Sequence, residues 1–198
     1  NIYSGASASG SATVYKYSDS GSTSKWLPGT GDGITITTEN ETYTASFPTT
    51  FSGIKQNQTT PTAFWESNQL ISSKAAVGNR VDFVFAPVAA KITINVEYAS
   101  ITTGNGIKLE GNSLRTDGGT NETIQLLPVT DSGTNHTYIG IIRANAGAVY
   151  QITVSAGGID KSYAQSSIKL EAANNYIYNF TSTNKLILNS VNAVSYTH

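Results

Sequence analysis

Between residues 91 and 98 the side chains alternate strictly: Ile92, Ile94, Val96 and Tyr98 are apolar, while Lys91, Thr93, Asn95 and Glu97 are polar. A period of two predicts a β-strand with one buried face and one wet face. A second apolar run, Arg80-Val-Asp-Phe-Val-Phe-Ala86, comes just before it and ends at Pro87. Proline has no N–H to give to a ladder, so Pro87 marks a break between two strands. The break falls near the middle of the chain. It predicts a boundary between two packed units, 1–86 and 87–198, with 81–85 closing the first and 91–98 opening the second.

The same reading predicts strands at 12–17, 25–27, 34–38 and 42–47, the last stopped by Pro48. Further along it predicts 107–109, 123–127, 136–142, 149–154, a weak strand at 162–164, and clear ones at 176–181 and 185–188. Clusters of Gly, Asn, Asp and Ser separate these runs at intervals of about 8 to 15 residues, the spacing of antiparallel sandwiches. Residues 61–72 are the one place where a short helix competes with irregular structure, because Phe64, Trp65, Leu70 and Ile71 loosely share a helical face. The Ser/Gly/Ala-rich residues 1–10 read as loose. The fold class is all-β.

Composition narrows the function. Only 13% of residues are charged and the net charge is −1, which gives no electrostatic case for nucleic acid or an anionic membrane as partner. There is no cysteine, hence no disulfide framework and no thiolate chemistry. In a sandwich of this length that favours a bacterial surface protein. There is no methionine either, so the chain reads as processed or trimmed. No stretch approaches the roughly 20 apolar residues that span a bilayer.

Candidate chemistry is sparse, and a non-enzymatic protein is expected. The two histidines are His136, at the start of an alternating strand, and His198, the last residue. Neither belongs to a nucleophile-elbow motif. No metal or cofactor site is expected: zinc would need clustered His or Cys, and the oxygen-rich stretches 117–122 and 131–135 lack spaced calcium ligands and read as turns. The Gly29-Thr-Gly-Asp-Gly33 loop lacks the Lys and Ser/Thr of a phosphate cradle. Five Asn-x-Ser/Thr sequons occur, at Asn40, Asn57, Asn121, Asn135 and Asn179. Tyr98, Tyr150, Tyr176, Tyr178 and Phe180 fall in phase with the apolar faces of their strands and read as core. Trp26 and Trp65 do not, and they are the candidate exposed aromatics for a ligand.

Three stretches carry a family resemblance. They are Tyr43-Thr-Ala-Ser-Phe-Pro48 followed by Asn57-Gln58 and Ala63-Phe-Trp65; the run 81–96 with its Ala90-Lys-Ile92; and Leu170-Glu-Ala-Ala-Asn-Asn-Tyr-Ile-Tyr-Asn-Phe180 with Lys185-Leu-Ile-Leu188. In this order they resemble the fimbrillin-like proteins of Bacteroidales, the building blocks of type V pili. The resemblance implies two transthyretin-like antiparallel β-sandwich domains in tandem, and export as a lipoprotein precursor to the outer-membrane surface. It also implies assembly with other pilus subunits by β-strand exchange after an N-terminal strand is cleaved away.

Three features depart from the family pattern: the first 86 residues are short for its first domain, no lipobox cysteine is present, and the first arginine, Arg80, lies too deep for a maturation site. The terminal stretch, with Val191, Ala193, Val194 and Tyr196, is the candidate donated or docking strand, against an ordinary final edge strand. The expected function is a structural subunit or adhesin of a surface pilus. The alternative is a carbohydrate-binding sandwich module of a glycan-uptake system.

Overall fold

The computed structural model describes residues 1–8, 11–18, 25–36, 39–98 and 104–196. It is nearly all β, with several antiparallel sheets and one short helix. The chain forms two compact units. One contains Asn1–Phe51 and Gln69–Ala86, the other Ser52–Asn68 and Pro87–His198.

In the first unit, β1 (Ile2–Ser4), β4 (Thr42–Phe47), β5 (Leu70–Ala75) and β6 (Ala86–Pro87) form a sheet in the order β1-β4-β5-β6. A separate antiparallel hairpin joins β2 (Tyr15–Ser18) and β3 (Lys25–Pro28). The middle strand β4 buries Tyr43, Thr44, Ala45 and Ser46 in succession. Of its two buried polar residues, Thr44 and Ser46, Thr44 gives its hydroxyl to Gly5 O at 2.8 Å, as a buried hydroxyl requires.

Four expectations fail in this unit. Residues 2–4, read as part of a loose start, pair with Tyr43–Ala45 as β1. Residues 34–36 form no strand: Gly33 has a φ of +85°, and the N–H of Ile34 goes to the Tyr15 hydroxyl at 3.0 Å rather than to a ladder. Residues 37 and 38 of that run lie outside the described residues. Leu70 and Ile71 belong to β5 rather than to a helix. The run 81–85 is no strand either. The N–H of Val84 is taken by the Ser72 hydroxyl at 3.0 Å, and Val84 and Phe85 are 73% and 40% exposed. Apolar periodicity records which side chains favour burial, but it does not supply the partner strand.

The second unit opens with residues 52–68, ending in α1 (Pro61–Ser67). Thr60 caps the helix by accepting from Ala63 N at 3.3 Å, and Pro61 occupies the first turn, where its missing N–H costs nothing. Phe64 is thereby buried.

Two sheets follow. The first contains β7 (Ala90–Tyr98), β10 (Leu127–Ser132), β11 (Asn135–Ile142), β14 (Asn174–Ser182) and β15 (Leu186–Ser195), in the order β10-β11-β7-β14-β15. The second contains β8 (Gly104–Gly111), β9 (Glu122–Gln125), β12 (Asn145–Ala156) and β13 (Ile159–Leu170), in the order β13-β12-β8-β9. All pairs in these sheets are antiparallel except β7 with β14, which run parallel.

One core joins the two sheets. Ile92, Ile94, Val96 and Tyr98 of β7 meet Tyr176, Tyr178 and Phe180 of β14, with Leu109 of β8 and Ile152 and Val154 of β12 in the same buried cluster. Burying each such side chain contributes about 1.5–3 kcal/mol. The hydroxyls of Tyr150 and Tyr178 meet at 2.7 Å inside this core. The expected strand at 123–127 is instead two strands: Leu126 leaves the ladder between β9 and β10 and is 1% exposed. The weak strand at 162–164 is a full twelve-residue β13.

Candidate functional site

β15 runs along β14 over its whole length, with Tyr178 opposite Val191, Tyr176 opposite Ala193 and Asn175 opposite Val194. It is the edge strand of its own sheet. Register places Val191 and Ala193 on the same face as the buried tyrosines, yet both are exposed, Val191 at 37%, and Val194 on the opposite face is 45% exposed. Among the described residues no strand pairs the outer side of β15. An edge with free N–H and C=O groups is a template for another strand.

Tyr196 behaves differently from the rest of this segment. Its N–H donates to Ala173 O at 2.9 Å. Its hydroxyl reaches Asn68 Oδ1 at 3.4 Å and Ala89 O at 3.5 Å, and Lys91 Nζ lies 5.9 Å from its ring centre. Burial pushes the Tyr196 hydroxyl up to about 12 and holds Lys91 below the usual lysine range. The four candidate residues therefore divide into three open positions and one anchored ring.

Trp26 sits in β3 at 56% exposure and Trp65 in α1 at 52%, where its ring stands edge-on to Phe64 at 5.2 Å. His136 is 1% exposed and packs edge-on against Tyr98 at 4.8 Å. It is a core residue rather than a polar strand position. His198 lies outside the described residues. In the stretch 117–122, burial pushes the Glu122 carboxyl up, but hydrogen bonds from the backbone of Arg115, Thr116 and Leu114 and from the Thr116 hydroxyl outweigh it and leave it below the usual carboxylate range. That carboxylate closes its own loop, and Asp117 pairs with Arg143 at 2.7 Å.

Sequence reasoning missed a polar relay on the outer face of the first sheet. Thr137 Oγ1 donates to Asn95 Oδ1 at 2.9 Å, Asn95 Nδ2 to Asn179 Oδ1 at 2.9 Å, and Asn179 Nδ2 to Ser190 Oγ at 2.9 Å. The relay crosses β11, β7, β14 and β15 in register. The available signal was parity, since Asn95 and Asn179 both alternate with core residues. The Asn179 sequon is thus an internal link of a sheet. Among the described residues no helix is long and apolar enough to cross a membrane.

No protein-family model and no curated protein matches the chain. Solved structures do match it. A proposed cell adhesion protein of Bacteroides uniformis is 13% identical over 99% of this chain and 90% of its own, with a TM-score of 0.70. One from Bacteroides ovatus is 14% identical over 88% and 76%, with a TM-score of 0.69. A third, from Bacteroides fragilis, is 11% identical over 93% and 78%, with a TM-score of 0.55. The chain shares the fold of these Bacteroides proteins, as the fimbrillin-like resemblance of its motifs predicts.

Proposed function

We propose that the protein is a non-enzymatic structural subunit or adhesin of a bacterial surface pilus that assembles with related subunits by β-strand exchange. In this reading it is exported to the outer-membrane surface as a lipoprotein precursor, and its two units are transthyretin-like sandwiches. The observation that carries it is the backbone likeness, over 88–99% of the chain, to proposed cell adhesion proteins.

Two features of the fold support it. The three-residue β1 covers one side of β4 in the first unit's sheet, so removing it would uncover the backbone opposite Tyr43–Ala45. The same unit exposes Val77, Val84, Phe85 and Phe47, apolar surface that an incoming strand would cover. Each backbone hydrogen bond contributes only about 1 kcal/mol. A donated segment must therefore bury alternate apolar side chains, and Val191 and Ala193 stand on one face of β15 to do so.

The test is to place a protease site after residue 8 of the full chain, cut, and follow assembly by size-exclusion chromatography and negative-stain microscopy. Cut protein should form linear oligomers that an excess of a 186–196 peptide suppresses. Cut protein that stays monomeric and ignores the peptide would sink the strand-exchange reading.

A further inference from the structure

We propose that the outer face of the β13-β12-β8-β9 sheet carries a binding site for a neutral, hydroxyl-rich glycan. β12 departs from regular pairing with β13 twice within six residues, between Asn145 and Ala148 and between Ala148 and Tyr150. Such bulges bend a strand and re-aim its side chains. Beside them β8 approaches β12 so closely that a Cβ on Gly111 would stand 2.7 Å from Val149 O and 3.0 Å from Tyr150 Cβ. The bent strand and the close approach leave a cleft of about 600 Å³ bordered by Asn112, Asn145, Val149, Gln151 and Gln165. That volume lies within the range of small-ligand sites.

The amides around the cleft are pre-set. Asn112 Oδ1 accepts from Asn121 N at 2.9 Å and Asn145 Oδ1 from Gly147 N at 3.0 Å, which leaves each NH₂ as a donor. Gln151 is exposed and supplies both kinds of group, and Val149, 58% exposed, supplies an apolar contact. Oriented donors and acceptors without a net field suit hydroxyl groups, which both give and take hydrogen bonds.

Charge and topology decide against other ligands. The one ionised side chain bordering the cleft is Glu110, already paired with Lys108 Nζ at 3.0 Å, so neither an anion nor a cation gains a counter-charge. An extended peptide that binds by strand addition needs a free strand edge. β8 and β12, the strands at the centre of this sheet, are each paired on both sides. No open aromatic face lines the cleft, since Tyr150 is buried with its hydroxyl on Tyr178, so the affinity of one site should be on the order of 1 mM. An array of subunits would raise it by avidity. The proposal is independent of pilus assembly, because cleft variants leave β1 and β15 untouched.

The test is saturation-transfer NMR of the full chain against maltotriose, cellotriose, mannotriose and N-acetyllactosamine, with sialyllactose and a Ser-Gly-Asn-Ser peptide as competitors. At least one neutral saccharide should bind. Its binding should weaken about fivefold in Gln151→Ala, the loss of one hydrogen bond, and disappear in Val149→Glu. Both positions are exposed, so melting temperature should stay put, and Trp26→Ala and Trp65→Ala should bind as the parent does. Absence of signal from all four saccharides would overturn the proposal. So would binding that survives both cleft variants or fails in a tryptophan variant, or stronger binding of sialyllactose or the peptide.

Discussion

The side-chain amide of Gln58 pairs with the backbone of Ile141 as a strand would: Ile141 N donates to Gln58 Oε1 at 2.7 Å, and Gln58 Nε2 donates to Ile141 O at 2.9 Å. β10 pairs β11 only as far as Ile139, so the amide takes over the ladder where the strand ends. Gln58 is wholly buried, and its own N–H donates to Gln125 O at 3.0 Å. One residue, through its side chain to β11 and its backbone to β9, thus ties residues 52–58 to both sheets of the second unit.

Replacing Gln58 by alanine should therefore leave two buried backbone groups of Ile141 without partners, at a cost of about 2–4 kcal/mol. Gln58→Glu keeps the shape but removes the donor and buries a charge, so it should cost no less. Urea unfolding followed by a probe in the second unit measures both. A loss below 1 kcal/mol for both variants, roughly the value of an ordinary solvated hydrogen bond, would mean that the pairing is incidental.

Gly140 and Leu126 make a second tight relationship. A Cβ at Gly140 would run into Leu126 Cδ2, and Leu126 is 1% exposed with no room to retreat. Overpacking of this kind costs typically 1–3 kcal/mol, so Gly140→Ala should lower the melting temperature. Leu126→Ala alone should also destabilise, by leaving a cavity. The pair together should be less damaging than the sum of the two, and a double-mutant cycle reads that coupling. Strict additivity would show that the clash is relieved elsewhere.

How much of this was legible beforehand follows from what periodicity can encode. The strands β4, β7, β11 and β14 each bury one face or a continuous run, and their residues are readable because solvent imposes the pattern locally. The run 81–85 carries the same signal, yet the N–H of Val84 finds Ser72 rather than a strand, since pairing depends on a partner far away in sequence. Gln58 gave no local signal at all, because a buried amide is defined by the Ile141 backbone 83 residues away. The terminal segment reads in the sequence as a donated strand or an ordinary edge strand, and neither reading carries a sign of the anchoring of Tyr196 on Asn68 and Ala89. Asn112 and Asn145 lie in the polar clusters between the expected strands, and each accepts a backbone N–H with its oxygen while keeping its NH₂ as a donor.

The buried Tyr150–Tyr178 pair sets the alkaline limit. Burial raises both hydroxyls, Tyr178 to about 12 and Tyr150 further still. Unfolded tyrosines titrate near 10, so above that pH the unfolded chain releases protons that the folded chain holds. Stability should be level below about pH 10 and fall as pH rises toward 12. Melting temperature against pH, with absorbance at 295 nm reporting phenolate, checks this. Tyr150→Phe should cost about 1–2 kcal/mol by stranding one hydroxyl, whereas Tyr150→Phe with Tyr178→Phe should cost less than the single change. Phenolate near pH 10 that the still-folded parent shows and the folded Tyr150→Phe/Tyr178→Phe variant lacks would contradict the burial argument.

The relay from Thr137 through Asn95 and Asn179 to Ser190 makes a final prediction with a definite sign. Asn95 accepts from Thr137 and donates to Asn179 Oδ1, so Asn95→Asp at neutral pH sets a carboxylate oxygen against an amide oxygen. Protonation restores the donor, so the carboxyl in the folded variant should titrate above the ordinary value of about 3.9 for aspartate. A raised folded pKa means the variant is nearest to the parent below pH 4 and loses ground as pH rises through its folded pKa. Asn95→Ser, which cannot ionise, should show a loss of about 1 kcal/mol that does not change with pH. Chemical denaturation of both variants at pH 3.5 and pH 7 separates the outcomes. An Asn95→Asp deficit that is the same at both pH values would show that the Asn95–Asn179 bond does not carry the relay.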